Sequence, residues 1–267
     1  MTLKRPFSTA VLAVVINIAL SHSVNAQTVA ESYREAVAEF TKIASVTETV
    51  NTMPRLGVES VEKIIKQLSD ENRYLENPTD SEDHLAQLVD VCSNSNVVVM
   101  SYQLFRLNTR VDANADEATQ VEQLNAVMQE NIAEYQDELT LLQPFLFRCM
   151  KKQIPLLSSY IESIEQSKLD EARVNSLRRA KLGSYRSYVS ALLAVQDTHL
   201  KMEYRQALIT ALADAAPEFA YMLPPPARSE IIANSSGEFV DDSVIRQQVG
   251  IIVDAMSISG CSGLCQW

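Results

Sequence analysis

The residues best suited to chemistry in this chain are four cysteines: Cys92, Cys149, Cys261 and Cys265. Paired thiols can form a structural disulfide, a redox couple or half of a metal site. Cys92 shares an apolar helical stripe with Leu85, Leu88 and Val89, and Cys149 shares one with Leu142, Phe145, Leu146 and Leu156. Thiols on core-facing stripes of different helices are placed to meet, so a Cys92–Cys149 staple is expected. Its partner would be a small Cys261–Cys265 ring in the tail SISGCSGLCQW, where Gly260 and Gly263 give the backbone its freedom. Cross-pairing of tail and helix cysteines is the alternative. A redox couple is disfavoured, because a depressed thiol pKa comes from two intervening residues at a helix N-terminus. The tail instead places three residues between its cysteines.

Other reactive groupings are sparse. His199 and Glu203 stand four apart in HLKME and would share one helix face, but they supply two ligands where zinc needs three or four. The sequence contains no H-E-x-x-H motif, no glycine-rich phosphate loop and no G-x-S-x-G elbow. The acidic pairs Asp116-Glu117, Asp137-Glu138 and Asp241-Asp242 fit helix starts or solvated faces. No catalytic, cofactor or metal set is therefore expected, and an enzyme would need a site assembled from scattered residues. One basic patch stands out: LRRAK at 177–181, with Tyr185, Arg186 and Tyr188. It would either dock an acidic partner or, as the favoured reading, act as counter-charge for neighbouring acidic helices.

The N-terminus bears on redox compartment. Lys4 and Arg5 precede an apolar run from Val11 to Leu20, and Val24-Asn25-Ala26 presents small residues at the positions a signal peptidase reads. The run is shorter than the roughly 20 residues that span a bilayer. A cleaved signal peptide over 1–26 is expected, leaving a periplasmic or secreted chain in an oxidising space where disulfides persist. The net charge is −11 before cleavage and deepens once Lys4 and Arg5 are lost. That field disfavours nucleic acid and anionic lipid and attracts a cationic protein partner.

The elements that must position these groups read as helices, since apolar residues recur at three- and four-residue steps almost throughout. Helices are expected from about 28 to 53 and 58 to 75. A third follows the loop at 77–85, with Asp80 or Ser81 as cap and SNSN at 93–96 bending it. A polar connection covers 110–119, a fourth helix runs to Leu142, and the next stretch, an apolar helix from Phe145 to Ile164, is cut by Pro144 and Pro155. One long segment spans 170–215, the prolines at 224–226 force an extended turn, and Asp241 or Asp242 starts a last helix ending at Met256. The fold class is all-α: an antiparallel bundle of about six or seven helices, or two packed bundles, braced by disulfides. The domain would cover 27–259, with a sub-boundary near 112–116 and a tail over 260–267.

LTLLQ at 139–143 resembles the L-T-x-x-Q motif of the periplasmic Spy/CpxP helical chaperones. That family usually carries the motif twice; this chain has one copy. The resemblance implies a protein that cradles unfolded clients or senses envelope stress. The leading expectation is a non-enzymatic, envelope-located protein acting by protein–protein binding, in the form of an inhibitor or immunity-type protein for a cationic partner. A chaperone or stress sensor and a scattered-site enzyme are the alternatives.

Overall fold

A computed structural model describes residues 29–71, 82–163, 171–235, 242–258, 260 and 263–266. The stretch 1–26 expected as a signal peptide, the expected cap at Asp80 or Ser81, Asp241 and Cys261 lie outside the described residues, as does the side chain of His84. Those described form nine helices, a single helical turn at Leu107–Arg110 and two short 3₁₀ turns, with no strand among them. The helices are α1 (Val29–Thr47), α2 (Glu59–Leu68), α3 (Glu82–Gln103), α4 (Glu117–Glu134), α5 (Gln136–Ser163), α6 (Glu171–Gln196), α7 (Met202–Met222), α8 (Pro225–Ser235) and α9 (Ser243–Met256).

Amphipathic spacing explains most of the packing. Tyr33, Val37, Phe40 and Ala44 bury one face of α1, and Val61, Ile64, Ile65 and Leu68 bury one face of α2. α7 differs: Leu208, Ile209, Ala211, Leu212, Ala215, Ala216 and Phe219 leave it apolar on most sides, and α5, α6 and α9 cover it. α5 lies against α7, α3, α2 and α4, so one continuous core draws residues from all nine helices. Its buried tyrosines are all bonded. Tyr33 donates to the Leu68 carbonyl, Tyr102 to that of Pro54 at 2.8 Å, Tyr188 to that of Leu212 at 2.9 Å and Tyr204 to Gln143 Oε1 at 2.7 Å. Tyr135 Oη accepts from Met53 N–H at 3.2 Å.

The Cys92–Cys149 disulfide joins α3 to α5, with both cysteines buried and Cα atoms 5.8 Å apart. The expected staple is thus present, and its two stripes do face each other.

Several boundaries depart from the sequence-based expectation. α1 stops at Thr47 and passes through a 3₁₀ turn to Asn51, whose left-handed backbone (φ 59°) ends it before Pro54 is reached. α3 runs unbroken through SNSN: Asn94 turns its amide back to the Asp90 carbonyl at 2.8 Å, and Ser95 is buried. Pro144 and Pro155 lie inside α5, and Pro217 inside α7. Each removes a helical hydrogen bond at a cost of about 3 kcal/mol. The helices continue because neighbours pack their flanks: Leu142, Phe145, Ala216 and Phe219 are buried.

The long segment 170–215 is two helices, α6 and α7. Asp197 makes the break by accepting from the His199 N–H at 2.9 Å, a side-chain-closed turn that competes with the helical ladder. At the prolines only Leu223 and Pro224 stand outside the helices flanking them, and Pro225 and Pro226 occupy the first turn of α8, where an N–H is not needed. Asp242 caps α9 as expected, accepting from the Ile245 N–H at 2.9 Å.

Candidate interaction surface

Two arginine clusters lie at different places on the helices, and their surroundings differ. The first joins the ends of α1, α3 and α4. Arg106 follows α3 with a left-handed backbone (φ 63°), a conformation that costs a side-chain-bearing residue about 1 kcal/mol or more. Its guanidinium repays this by bonding Asn51 twice, to the carbonyl at 2.8 Å and Oδ1 at 3.1 Å, and Glu134 Oε2 at 2.9 Å. Arg55 donates to the Glu134 carbonyl at 2.5 Å and to its Oε1 at 3.1 Å, and stacks 4.1 Å from the Tyr135 ring centroid. Glu138, only 2% exposed, takes the Leu56 N–H at 2.8 Å and sits 3.7 Å from Arg55. Burial, with Glu138 nearby, pushes the Tyr102 hydroxyl pKa far up.

A cleft of about 540 Å³ opens beside this corner, lined by Asn51, Asn96, Val97, Met100, Arg106 and Asn108 among others. Its one cation is Arg106, already bonded on all sides. The carboxyl with a raised pKa, Glu218 on α7, is pushed up by burial and does not line the cleft.

The second cluster is the outer face of α6. From Ala172 to Gln196 this helix has no acidic residue, yet it carries Arg173, Arg178, Arg179, Lys181 and Arg186 in a chain of net charge −11. The structure separates these residues by role. Tyr188 is buried against Phe147 and Phe219, so it belongs to the core and not to a patch. Tyr185 is half-buried, and burial with the Glu230 carboxylate pushes its hydroxyl up to about 12. Lys181 reaches the tail carbonyls of Leu264 and Cys265 at 3.3 and 3.4 Å; burial, then Arg178, pull its amine pKa down. Arg178, Arg179 and Arg186 point outward with Leu182 (45% exposed) and Leu193 (49%). Arg179 and Arg186 have no ion-pair partner among the described residues. The patch thus meets a carboxylate at Tyr185, beside Glu230, while no ion pair of Arg179 or Arg186 is formed among the described residues.

The tail is tied down. Buried Arg228 donates to the carbonyls of Ala220 at 3.0 Å and Gly260 at 2.5 Å, and Leu264 is buried against the core. Gly260 lies so close to Tyr221 that an added Cβ would stand 2.9 Å from the ring, so no larger residue fits without displacing it. Cys265 is disulfide-bonded, and Cys261 lies outside the described residues.

The remaining sequence candidates resolve as follows. His199 stands in the turn before α7, almost fully exposed and 3.1 Å from Asp197, so it does not share a helix face with Glu203. Among the described residues no three of His, Cys, Asp or Glu are grouped to hold a metal ion, and no helix is long and apolar enough to cross a membrane. Asp116 caps α4, and its bonds to Thr119 hold its carboxyl below the usual range. Asp137 pairs with Lys201 at 2.6 Å. Glu138 lies in the first turn of α5, as the helix-start reading of the acidic pairs expects, and is buried there rather than solvated. In LTLLQ, Leu139, Leu142 and Gln143 are buried and Gln143 is bonded to Tyr204, so most of the motif packs in the core, while Leu141 is exposed.

The Arg55–Glu134–Arg106 corner escaped the sequence reading; its only local sign was the MPRLG break. No family model, no curated protein and no solved structure matches the chain.

Proposed function

We propose that this chain is an exported helical protein, its helices packed as a disulfide-braced antiparallel bundle, that acts by binding another protein through the outer face of α6. The observation carrying this reading is the set of outward arginines, two of them without ion pairs, interleaved with half-exposed leucines, in a chain with carboxylates to spare. An exposed apolar residue lying among unneutralised guanidiniums is poorly solvated as a surface and well suited to a partner that supplies carboxylates and apolar contact together. The partner class is thus an acidic protein. The net charge of −11 favours a second reading, an inhibitor or immunity-type protein that meets a cationic partner elsewhere on its surface. The Spy-like chaperone reading has less support, because three of the five LTLLQ residues are buried and only Leu141 is exposed to meet a client.

Site-specific photo-crosslinking tests the proposal. A photoreactive residue at Ser190, on the α6 face, should yield discrete protein adducts at low salt that vanish at high salt, while one at exposed Gln129 on α4 should yield none. Adducts from Gln129 alone would move the contact away from α6 and favour the cationic-partner reading.

A further inference from the structure

Resting on the reading of α6 as the contact face, the spacing of its exposed residues goes further than its charge. Asn175, Arg179, Leu182, Arg186, Val189 and Leu193 follow one another at intervals of four, three, four, three and four residues. That is the seam of a heptad repeat, in which two positions per seven face a partner helix. The six residues form a stripe about 27 Å long at 1.5 Å per residue, and they drift little around the axis. All but Val189 are exposed, and Val189 is half-buried at the edge of the core. The opposite side of α6 is held by α7 and α8, so the seam is a fixed rail and not a helix waiting to fold.

We infer that the occupant is an acidic amphipathic helix of a partner protein, lying along α6 at the shallow angle of about 20° that such seams impose. Its apolar residues would pack on Leu182, Val189 and Leu193, and its carboxylates would take bidentate bonds from Arg179 and Arg186. A second copy of α6 in the same groove would set arginine against arginine. An anionic membrane fits less well: a helix lying on lipid needs a broad apolar face, and here single leucines alternate with cations along one narrow line.

The test titrates the full chain with two labelled synthetic peptides of roughly three heptads, following binding by fluorescence anisotropy. One peptide is a helix with leucine at seam positions and glutamate beside them; the other is a scramble of the same composition. The patterned peptide should bind about tenfold or more tightly than the scramble, and R179E/R186E should weaken it by at least about tenfold. L182A/L193A should weaken it comparably with its circular dichroism unchanged, and the milder R186Q should give a smaller loss of the same sign. Equal binding of both peptides, sensitive to arginine reversal but indifferent to L182A/L193A, would leave the acidic-partner reading standing and overturn the helix. Binding of neither peptide would overturn both. Binding to phosphatidylglycerol vesicles in place of peptide, lost in R179E/R186E, would assign the face to lipid. Self-association of the chain alone, abolished by R186Q, would assign it to a second copy.

Discussion

Arg55 and Arg106 at the corner of α1, α3 and α4, and Arg179 and Arg186 along α6, are the same residue type in the same acidic chain. At the corner each guanidinium meets carboxylate, carbonyl and ring partners, and Arg106 holds a strained backbone to reach them. Along α6, Arg179 and Arg186 face outward with no ion pair among the described residues, although acidic residues outnumber basic ones by 34 to 23. The difference teaches that charge pairing here is local and built, not a general consequence of excess acid. A cation left open on a rigid helix is available for something outside the molecule, whereas one closed into a network is scaffold. That contrast can be attacked from the scaffold side first, where the energies are largest.

The disulfide holds α3 and α5 together about three helical turns from the corner. Closing its loop of 57 positions removes denatured-state entropy worth about 4 kcal/mol. Urea unfolding of C92A/C149A should show a loss of that size with the helical signal retained at zero denaturant. A loss below about 1 kcal/mol would mean that α3 and α5 are held together by packing alone.

Glu138→Ala comes next. It strips the acceptor from the Leu56 N–H and a charge from beside Arg55, leaving a buried donor unpaired. Such a deletion costs about 2–3 kcal/mol when one partner stays partly solvated, as Arg55 does. The urea midpoint should fall accordingly, and a double-mutant cycle with Arg55→Ala should show coupling of about 1 kcal/mol. Additive losses would dissolve the idea of a closed network.

A carboxyl outside both clusters gives a smaller effect with a defined sign. Burial raises the pKa of Glu218 despite Lys151 and Lys152 nearby, so the folded chain holds that proton more tightly than the unfolded chain does. Its contribution is complete below the unfolded pKa and is lost as pH rises through the folded one. Glu218→Gln should therefore flatten the stability profile in that window and leave the variant the more stable at neutral pH. A steeper fall above the carboxylate range would show that Lys151 and Lys152 govern the site. Asp242 works the other way: its cap bond to Ile245 lowers its pKa, and its contribution is lost as pH falls through the folded value.

What the sequence revealed follows a physical rule. The Cys92–Cys149 pairing was legible because each thiol lies on an apolar stripe, and a stripe states which side faces the core. The α2 face and the Asp242 cap were legible because both signals are complete within a few residues. Pro144 and Pro155 misled, because a proline's cost is local while the packing that offsets it comes from helices distant in sequence. The α6–α7 break was hidden by an apolar period that continues through Asp197. The corner was invisible because Leu56 and Glu138 lie 82 residues apart. The α6 patch was legible as a run of basic residues, but its neighbours were not, because they come from helices distant in sequence.

The smallest expected effect is also the one that cuts most directly at the contrast. R179E/R186E exchanges two solvated side chains for two others and breaks no ion pair, so unfolding free energy should shift by no more than about 0.5 kcal/mol. Arg106→Ala, by comparison, should cost about 1–2 kcal/mol, since three charge-assisted bonds outweigh the relief of its left-handed backbone. Reversing the α6 arginines also makes an acidic chain more acidic, and the added self-repulsion is screened over about 10 Å at 0.1 M salt, so even the small loss should fade as salt is raised. If instead R179E/R186E destabilises the fold as much as Arg106→Ala does, and salt does not restore it, the α6 guanidiniums are bonded within the protein in solution, and the face they line is scaffold like the corner.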